Sequence, residues 1–193
     1  MTKDIYLIRH GQSTFNALFE LNGVDPLHFD ARLSQLGIAQ VAATRHAARK
    51  IGADLIVVSP LTRAIETAVG LFGDAPMMIS SLHRERLEHS CDVGRAPALL
   101  AREFPALEFG HLEDPWYFNG EKDGRGVAVE PETLFKERVS AFSTWISARP
   151  ERSVVVVGHG AFFRYLTGHP FANCEIKKWS PEQLGSQRAG EQI

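Results

Sequence analysis

The chain has 193 residues, 44% of them apolar and 23% charged, with a formal net charge of −2. A chain of this length buries roughly 70% of the surface of its unfolded form, which predicts one core, and the near-neutral balance gives no basic footprint for nucleic acid and none for a membrane surface. No apolar run reaches the ~20 residues of a membrane span, the start Met1-Thr2-Lys3-Asp4 carries no secretory pattern, and Cys91 and Cys174 lack metal spacing and are too few for a disulfide framework, so a cytoplasmic protein with reduced thiols is expected.

Ile5-Tyr6-Leu7-Ile8 reads as a strand buried on both faces that ends abruptly in Arg9-His10-Gly11, where glycine permits a sharp turn. Residues 15–31 are expected to form a loop, because Asn22-Gly23 and Asp25-Pro26 are strong turn signals. Ser34 fits the N-cap of a first helix that stops at Ile51-Gly52. Residues 54–59 form a second strand. Ser59-Pro60 then predicts a helix capped by Ser59, apolar at Leu61, Ala64, Ile65, Ala68 and Phe72, with Arg63 in its first turn.

Residues 76–80 predict a third, weaker strand, followed by a charged run over 82–89. From 91 to 130 the prolines and glycines predict a long irregular insertion with a short helix near 98–104, which is read as a cap. Pro131 opens a helix whose Phe135, Val139, Phe142 and Ile146 share one face, and a last buried strand ends in Gly158-His159-Gly160. Residues 180–193 form a polar tail. The alternation of strands and helices predicts an α/β fold: a three-layer α/β/α sandwich around a mostly parallel sheet, in one domain spanning 1–193 with the cap at about 91–130.

In such a sheet a ligand binds beyond the C-terminal ends of the strands. Three strand ends carry chemistry there: Arg9 and His10, then Ser59 and Arg63, then His159. Two arginines and two histidines converging on one point suit the oxygens of a phosphoryl group. The alternative, a surface Arg63–Glu66 pair and a capped core His159, requires three coincidences. A leaving alkoxide needs a proton from a carboxylic acid, for which Glu85 and Glu88 compete. His28, His46, His83, His89, His111 and His169 are scattered without a ligand pattern, so no metal and no other cofactor is expected. Cys91-Asp92-Val93-Gly94 reads as a turn.

These residues resemble the histidine phosphatase superfamily, which includes the cofactor-dependent phosphoglycerate mutases. The match runs through Arg9-His10-Gly11-Gln12-Ser13 with Asn16, through Leu33-Ser34-Gln35-Leu36-Gly37 with Gln40, through residues 59–67, and through Gly158-His159-Gly160. The resemblance implies a two-step reaction in which His10 takes the phosphoryl group and passes it to water. Adjacent arginines lower the imidazole pKa and keep it nucleophilic, which agrees. Arg9, Arg63 and His159, with Ser13, Asn16 and the amide of Gly160, would hold the phosphoryl oxygens. The family places its acid shortly after the third strand, which favours Glu85.

Net hydrolysis of a small phosphorylated substrate is expected, by a monomer or homodimer, with Trp116, Tyr117, Lys122 or Arg125 of the cap against the rest of the substrate. The alternatives are a phosphoglycerate-mutase-type transferase, a phosphatase of proteins or of phosphohistidine, and a noncatalytic phosphate-binding module.

Overall fold

A computed structural model describes residues 3–181. The strands are β1 (Asp4–Arg9), β2 (Leu55–Val58), β3 (Met77–Ile79), β4 (Ser153–Gly158) and β5 (Ile176–Trp179). The α-helices are α1 (Thr14–Asn22), α2 (Gln35–Arg49), α3 (Thr62–Phe72), α4 (Pro97–Glu103), α5 (Glu132–Ala148) and α6 (Gly160–Thr167). The sheet runs in the order β3-β2-β4-β1-β5, parallel except for β5, which pairs antiparallel with β1.

The central strands are apolar on both sides because both sides are covered. Ile8, Ile56, Val58, Val155 and Val157 pack with α2 and α3 residues such as Val41, Ile65 and Leu71. Their neighbours of opposite parity, Ile5, Leu7, Val57, Val154 and Val156, pack with Phe135, Phe142, Phe162 and Phe163 of α5 and α6. The sheet is thus the middle of three layers, as the alternation of elements predicts. Leu100, Leu107, Phe109 and Trp116 of the long insertion join the α2/α3 side of the core.

The register sets the site. Arg9 pairs with Gly158, and Val58 with Val157. The His10 amide then donates to the Gly158 carbonyl at 3.0 Å, and the Ser59 amide to Val157 at 3.1 Å. His10, Ser59 and His159 therefore leave three neighbouring strands at one level, in the crevice where the chain order reverses.

Several local readings are corrected. The segment after Phe15 is helical: Ser13 and Asn16 form a reciprocal capping box at the start of α1, and Gly23, at φ 70°, closes it in the left-handed conformation. Asn22-Gly23 is thus a helix stop, not a turn within a loop. Ser59 does not cap α3, which begins at Thr62 with Leu61 in the cap position. Instead the Asp30 carboxylate accepts from the Thr62 amide at 2.9 Å and from its hydroxyl. Helix α6 and strand β5 add to the elements expected from the sequence. Of the tail expected at 180–193, residues 182–193 lie outside the described residues.

Candidate active site

Backbone contacts fix His10. The Asn173 side chain donates to the His10 carbonyl at 2.9 Å, and the Gly11 amide donates to Thr67 Oγ1 at 3.1 Å. The loop beyond is held against the start of α2: Ser34 Oγ donates to Gln12 Oε1 at 2.8 Å, and the Gln12 amide donates to Gln40 Oε1 at 2.8 Å. A Cβ on Gly37 would lie 2.1 Å from the Gln12 carbonyl oxygen, so only glycine permits this approach. The motif residues of α2 thereby act on the loop that follows His10.

The His10 ring is oriented at both nitrogens. Nδ1 lies 2.7 Å from the Gly11 carbonyl, which can only accept, so Nδ1 carries the proton. Nε2 is left with its lone pair and accepts from Arg63 Nε at 3.2 Å. Burial first, then the charges of Arg63 and Arg9, hold the imidazole well below its ordinary pKa. The result is a neutral imidazole with its lone pair on Nε2.

His159 stands beside it, ring centroids 5.2 Å apart. Its Nε2 lies 2.7 Å from Ser59 Oγ, and its buried Nδ1 has no protein partner. Burial, followed by the charge of Arg63, also lowers the His159 pKa well below its ordinary value. Arg9 donates from Nη1 to the Phe171 carbonyl at 2.6 Å, while its Nε is buried without a partner. A Cβ on Gly160 would come within 3.1 Å of Arg9 Nε, so glycine lets the guanidinium lie against the start of α6. A buried guanidinium N–H and a ring nitrogen without partners beside the His10 imidazole form a site that an anion completes.

Arg63 sits on the first turn of α3 and is 2% exposed, which demands a partner for its charge. Its Nη2 donates to Asp92 Oδ1 at 2.9 Å and its Nη1 to the Cys91 carbonyl at 2.6 Å. The turn expected at Cys91-Asp92 forms as a single 3-10 turn over Ser90–Asp92, and both residues also line the His10 pocket with Phe15, Asn16, Phe19, Arg86, Glu88 and His89. His89, expected as a surface or packing histidine, packs at a tilt against Phe15 and Phe19 there, ring centroids 5.5 and 5.0 Å apart. The pocket encloses about 210 Å³.

Glu85 closes the opposite wall. Its carboxylate accepts from the amides of Ala161 and Phe162 at the N-terminus of α6, each at 2.9 Å, and from its neighbour Arg86 at 3.0 Å. Burial first, then the negative charge of Asp92, raise its pKa above the ordinary carboxylate value, against the amides and Arg63, which lower it. Glu88 pairs with Arg86 at 2.8 Å and is 40% exposed, so it is the better solvated of the two glutamates.

The geometry thus brings together Arg9, His10, Asn16, Arg63 and Glu85 in one pocket, with His159 beside His10. Ser13 is buried, and its hydroxyl caps α1, accepting from the Asn16 amide at 3.1 Å. Trp116 and Tyr117 line a different cavity, beside β3, together with Arg84, His111 and Trp145. The expectation that these two aromatics contact the substrate is corrected: they pack against the α2/α3 side of the core and do not line the His10 pocket. Arg125 does approach the site, donating to the Glu88 carbonyl at 3.0 Å, whereas Lys122 is exposed. Among the described residues no cluster of three or more His, Cys, Asp or Glu could hold a metal ion, and no helix is long and apolar enough to cross a membrane.

The profile of the histidine phosphatase superfamily (branch 1) matches residues 5–185, and the chain belongs to that superfamily. The phosphohistidine mechanism is general for that family, and the relatives this chain matches include phosphatases. The chain is 30% identical to the phosphoglycerate mutase-like protein 1 of Arabidopsis thaliana, over 91% of this chain and 79% of the relative. It is 31% identical to a glucosyl-3-phosphoglycerate phosphatase of Mycobacterium tuberculosis, over 84% of this chain and 73% of the relative. Among solved structures it is similar in fold to a mycobacterial glucosyl-3-phosphoglycerate phosphatase complexed with VO3, with a TM-score of 0.59, 21% identity and 93% of each chain covered. It is similar also to an Entamoeba histolytica phosphoserine phosphatase complexed with 3-phosphoglyceric acid, with a TM-score of 0.57, 22% identity and 93% and 91% of the two chains covered.

Proposed function

We propose that His10 is the nucleophile of a two-step hydrolysis of a small phosphomonoester and that Glu85 is its general acid. In the first step the Nε2 lone pair attacks phosphorus in line and the ester oxygen leaves with a proton from Glu85. In the second, water attacks the phosphohistidine, the Glu85 carboxylate takes the water's proton, and inorganic phosphate is released. Arg9, Arg63 and His159 Nδ1 bind the equatorial oxygens as charge spreads over them, with Asn16 and the Gly160 amide at the margin.

One observation carries this reading: His10 Nε2 is held unprotonated by the Nδ1 contact to Gly11, beside the Arg9 Nε–H and the His159 Nδ1, which both lack partners. The pocket volume leaves room beyond the phosphoryl group for a few heavy atoms, so a phosphorylated small acid or sugar is the expected class. The named relatives, which include a glucosyl-3-phosphoglycerate phosphatase, support that class.

The test is a panel of phosphorylated metabolites and phosphopeptides, assayed for free phosphate beside His10→Ala. Phosphate release from small esters, absent in His10→Ala, is expected. Efficient exchange between phosphoglycerate isomers without net phosphate release would make the chain a mutase and overturn the hydrolytic reading.

A further inference from the structure

Asp92 is almost fully buried, and each of its carboxylate oxygens has a separate task. Oδ1 accepts from Arg63 Nη2 at 2.9 Å. Oδ2 accepts from the backbone amides of Glu88, at 3.3 Å, and His89, at 3.1 Å. The first contact fixes the plane of the guanidinium whose Nε reaches His10 Nε2 at 3.2 Å. The second closes the backbone of the segment that carries Glu85 three residues earlier. One carboxylate therefore ties the arginine on α3 to the loop that carries the acid, beside the direct bond from Arg63 Nη1 to the Cys91 carbonyl at 2.6 Å.

We infer that Asp92 is a positioning residue of this active site: it sets the guanidinium of Arg63 against His10 and holds the loop that presents Glu85 to the leaving oxygen. The inference rests on the assignment of His10 and Glu85 made above. The charge of Asp92 also acts in a defined setting. Glu85 is faced by Asp92 from its own loop, by Arg63 from α3, by Arg9 from β1 and by the amides of Ala161 and Phe162 from α6, while Arg138 of α5 holds its carbonyl. In this surrounding Asp92 is the named negative neighbour, and its effect is to raise the Glu85 pKa. Asparagine in its place removes the charge and offers one acceptor where two are used, so either Arg63 or the 88–89 amides lose their partner.

The experiment compares the wild type, Asp92→Asn, Asp92→Glu and His10→Ala, using p-nitrophenyl phosphate, which leaves without an acid, and glycerol phosphate, which requires one. Two results are expected for Asp92→Asn: kcat/KM falls about 10²-fold on both esters, as for a misplaced catalytic group, and the alkaline limb of the glycerol phosphate profile moves to lower pH. Asp92→Glu keeps the charge, so its limb stays at the wild-type position even where its rate is reduced. A role in folding alone would lower the active fraction and leave the limb in place in both variants, which overturns the inference, as does an Asp92→Asn variant with wild-type kcat, KM and profile. If instead His10→Ala matches the wild type, the underlying assignment of the nucleophile fails, and that outcome is separate from the behaviour of Asp92.

Discussion

Arg63 Nε and His10 Nε2 lie 3.2 Å apart, and the only lone pair on that imidazole faces a guanidinium that is itself anchored at both other nitrogens. In the free protein the arginine thus holds the His10 imidazole in the tautomer that leaves Nε2 unprotonated. When a phosphoryl group enters between them, the same Nε–H is placed to bind one of its oxygens. Lysine at position 63 keeps the charge but cannot reach His10, Cys91 and Asp92 together from a planar fork. Arg63→Lys is expected to lose roughly 10² to 10³ in kcat, on the scale of a lost transition-state donor, and steady-state kinetics check it. Arg63→Ala is expected also to cost about 3–5 kcal/mol of stability, measured by denaturant unfolding, because Asp92 remains buried and unpaired.

The assignment of the acid separates by leaving group. Glu85→Gln is expected to slow an alkyl phosphate by about 10² or more while sparing p-nitrophenyl phosphate, the size of general acid catalysis. Glu88→Gln, at the exposed salt bridge with Arg86, is expected to leave both rates near wild type. The reverse pattern would move the acid to Glu88.

Three buried histidines predict a defined loss of stability in acid. His10 and His159 are held well below the ordinary imidazole pKa, chiefly by burial, and burial pushes His83 down to about 3. Each is neutral when folded and takes up a proton on unfolding once the pH is below ~6.5. Their contribution is therefore complete above that pH and is lost as the pH falls from 6.5 toward the folded values. Each histidine should add a slope of about 1.4 kcal/mol per pH unit in that window. Urea unfolding at several pH values is expected to show it, and His83→Gln should reduce the slope by one proton's worth.

The contact of Gly37 with the loop after His10 predicts an effect away from the chemistry. In Gly37→Ala the new methyl would sit 2.1 Å from the Gln12 carbonyl oxygen, a backbone atom that cannot rotate aside. A destabilisation of about 1–3 kcal/mol is expected, with a fall in kcat because the His10 loop must shift. Thermal unfolding and kinetics on the same preparation check both.

The parallel sheet and its helices were legible because the apolar runs at Ile5–Ile8 and Val154–Val157 and the spacing of Phe135, Val139, Phe142 and Ile146 are set by burial, which acts on every residue of the pattern. His10, Arg63 and His159 were legible because strand ends must converge in such a sheet. Helix α1 was not, because Leu18 and Leu21 are exposed at 40% and 78% and spoil its apolar stripe, while Gly23 signals a turn and a helix stop equally well. Strand β5 has four residues with two exposed lysines, too little pattern to separate it from the tail. Asp92 was hidden because its partner, Arg63, lies 29 residues away. Nothing local distinguishes a carboxylate in a turn from one that serves a buried arginine. Trp116 and Tyr117 looked like substrate contacts by composition alone, and their place beside β3 depends on how the insertion folds back on the core.

The central claim is that His10 carries the phosphoryl group. Wild-type protein mixed with substrate and quenched in alkali within the first turnover should show, by mass spectrometry, a phosphate on His10 that is lost on acid treatment, and His10→Ala should show none. A phosphate found on another residue, or rapid hydrolysis with His10 left unmodified under single-turnover conditions, would contradict the account.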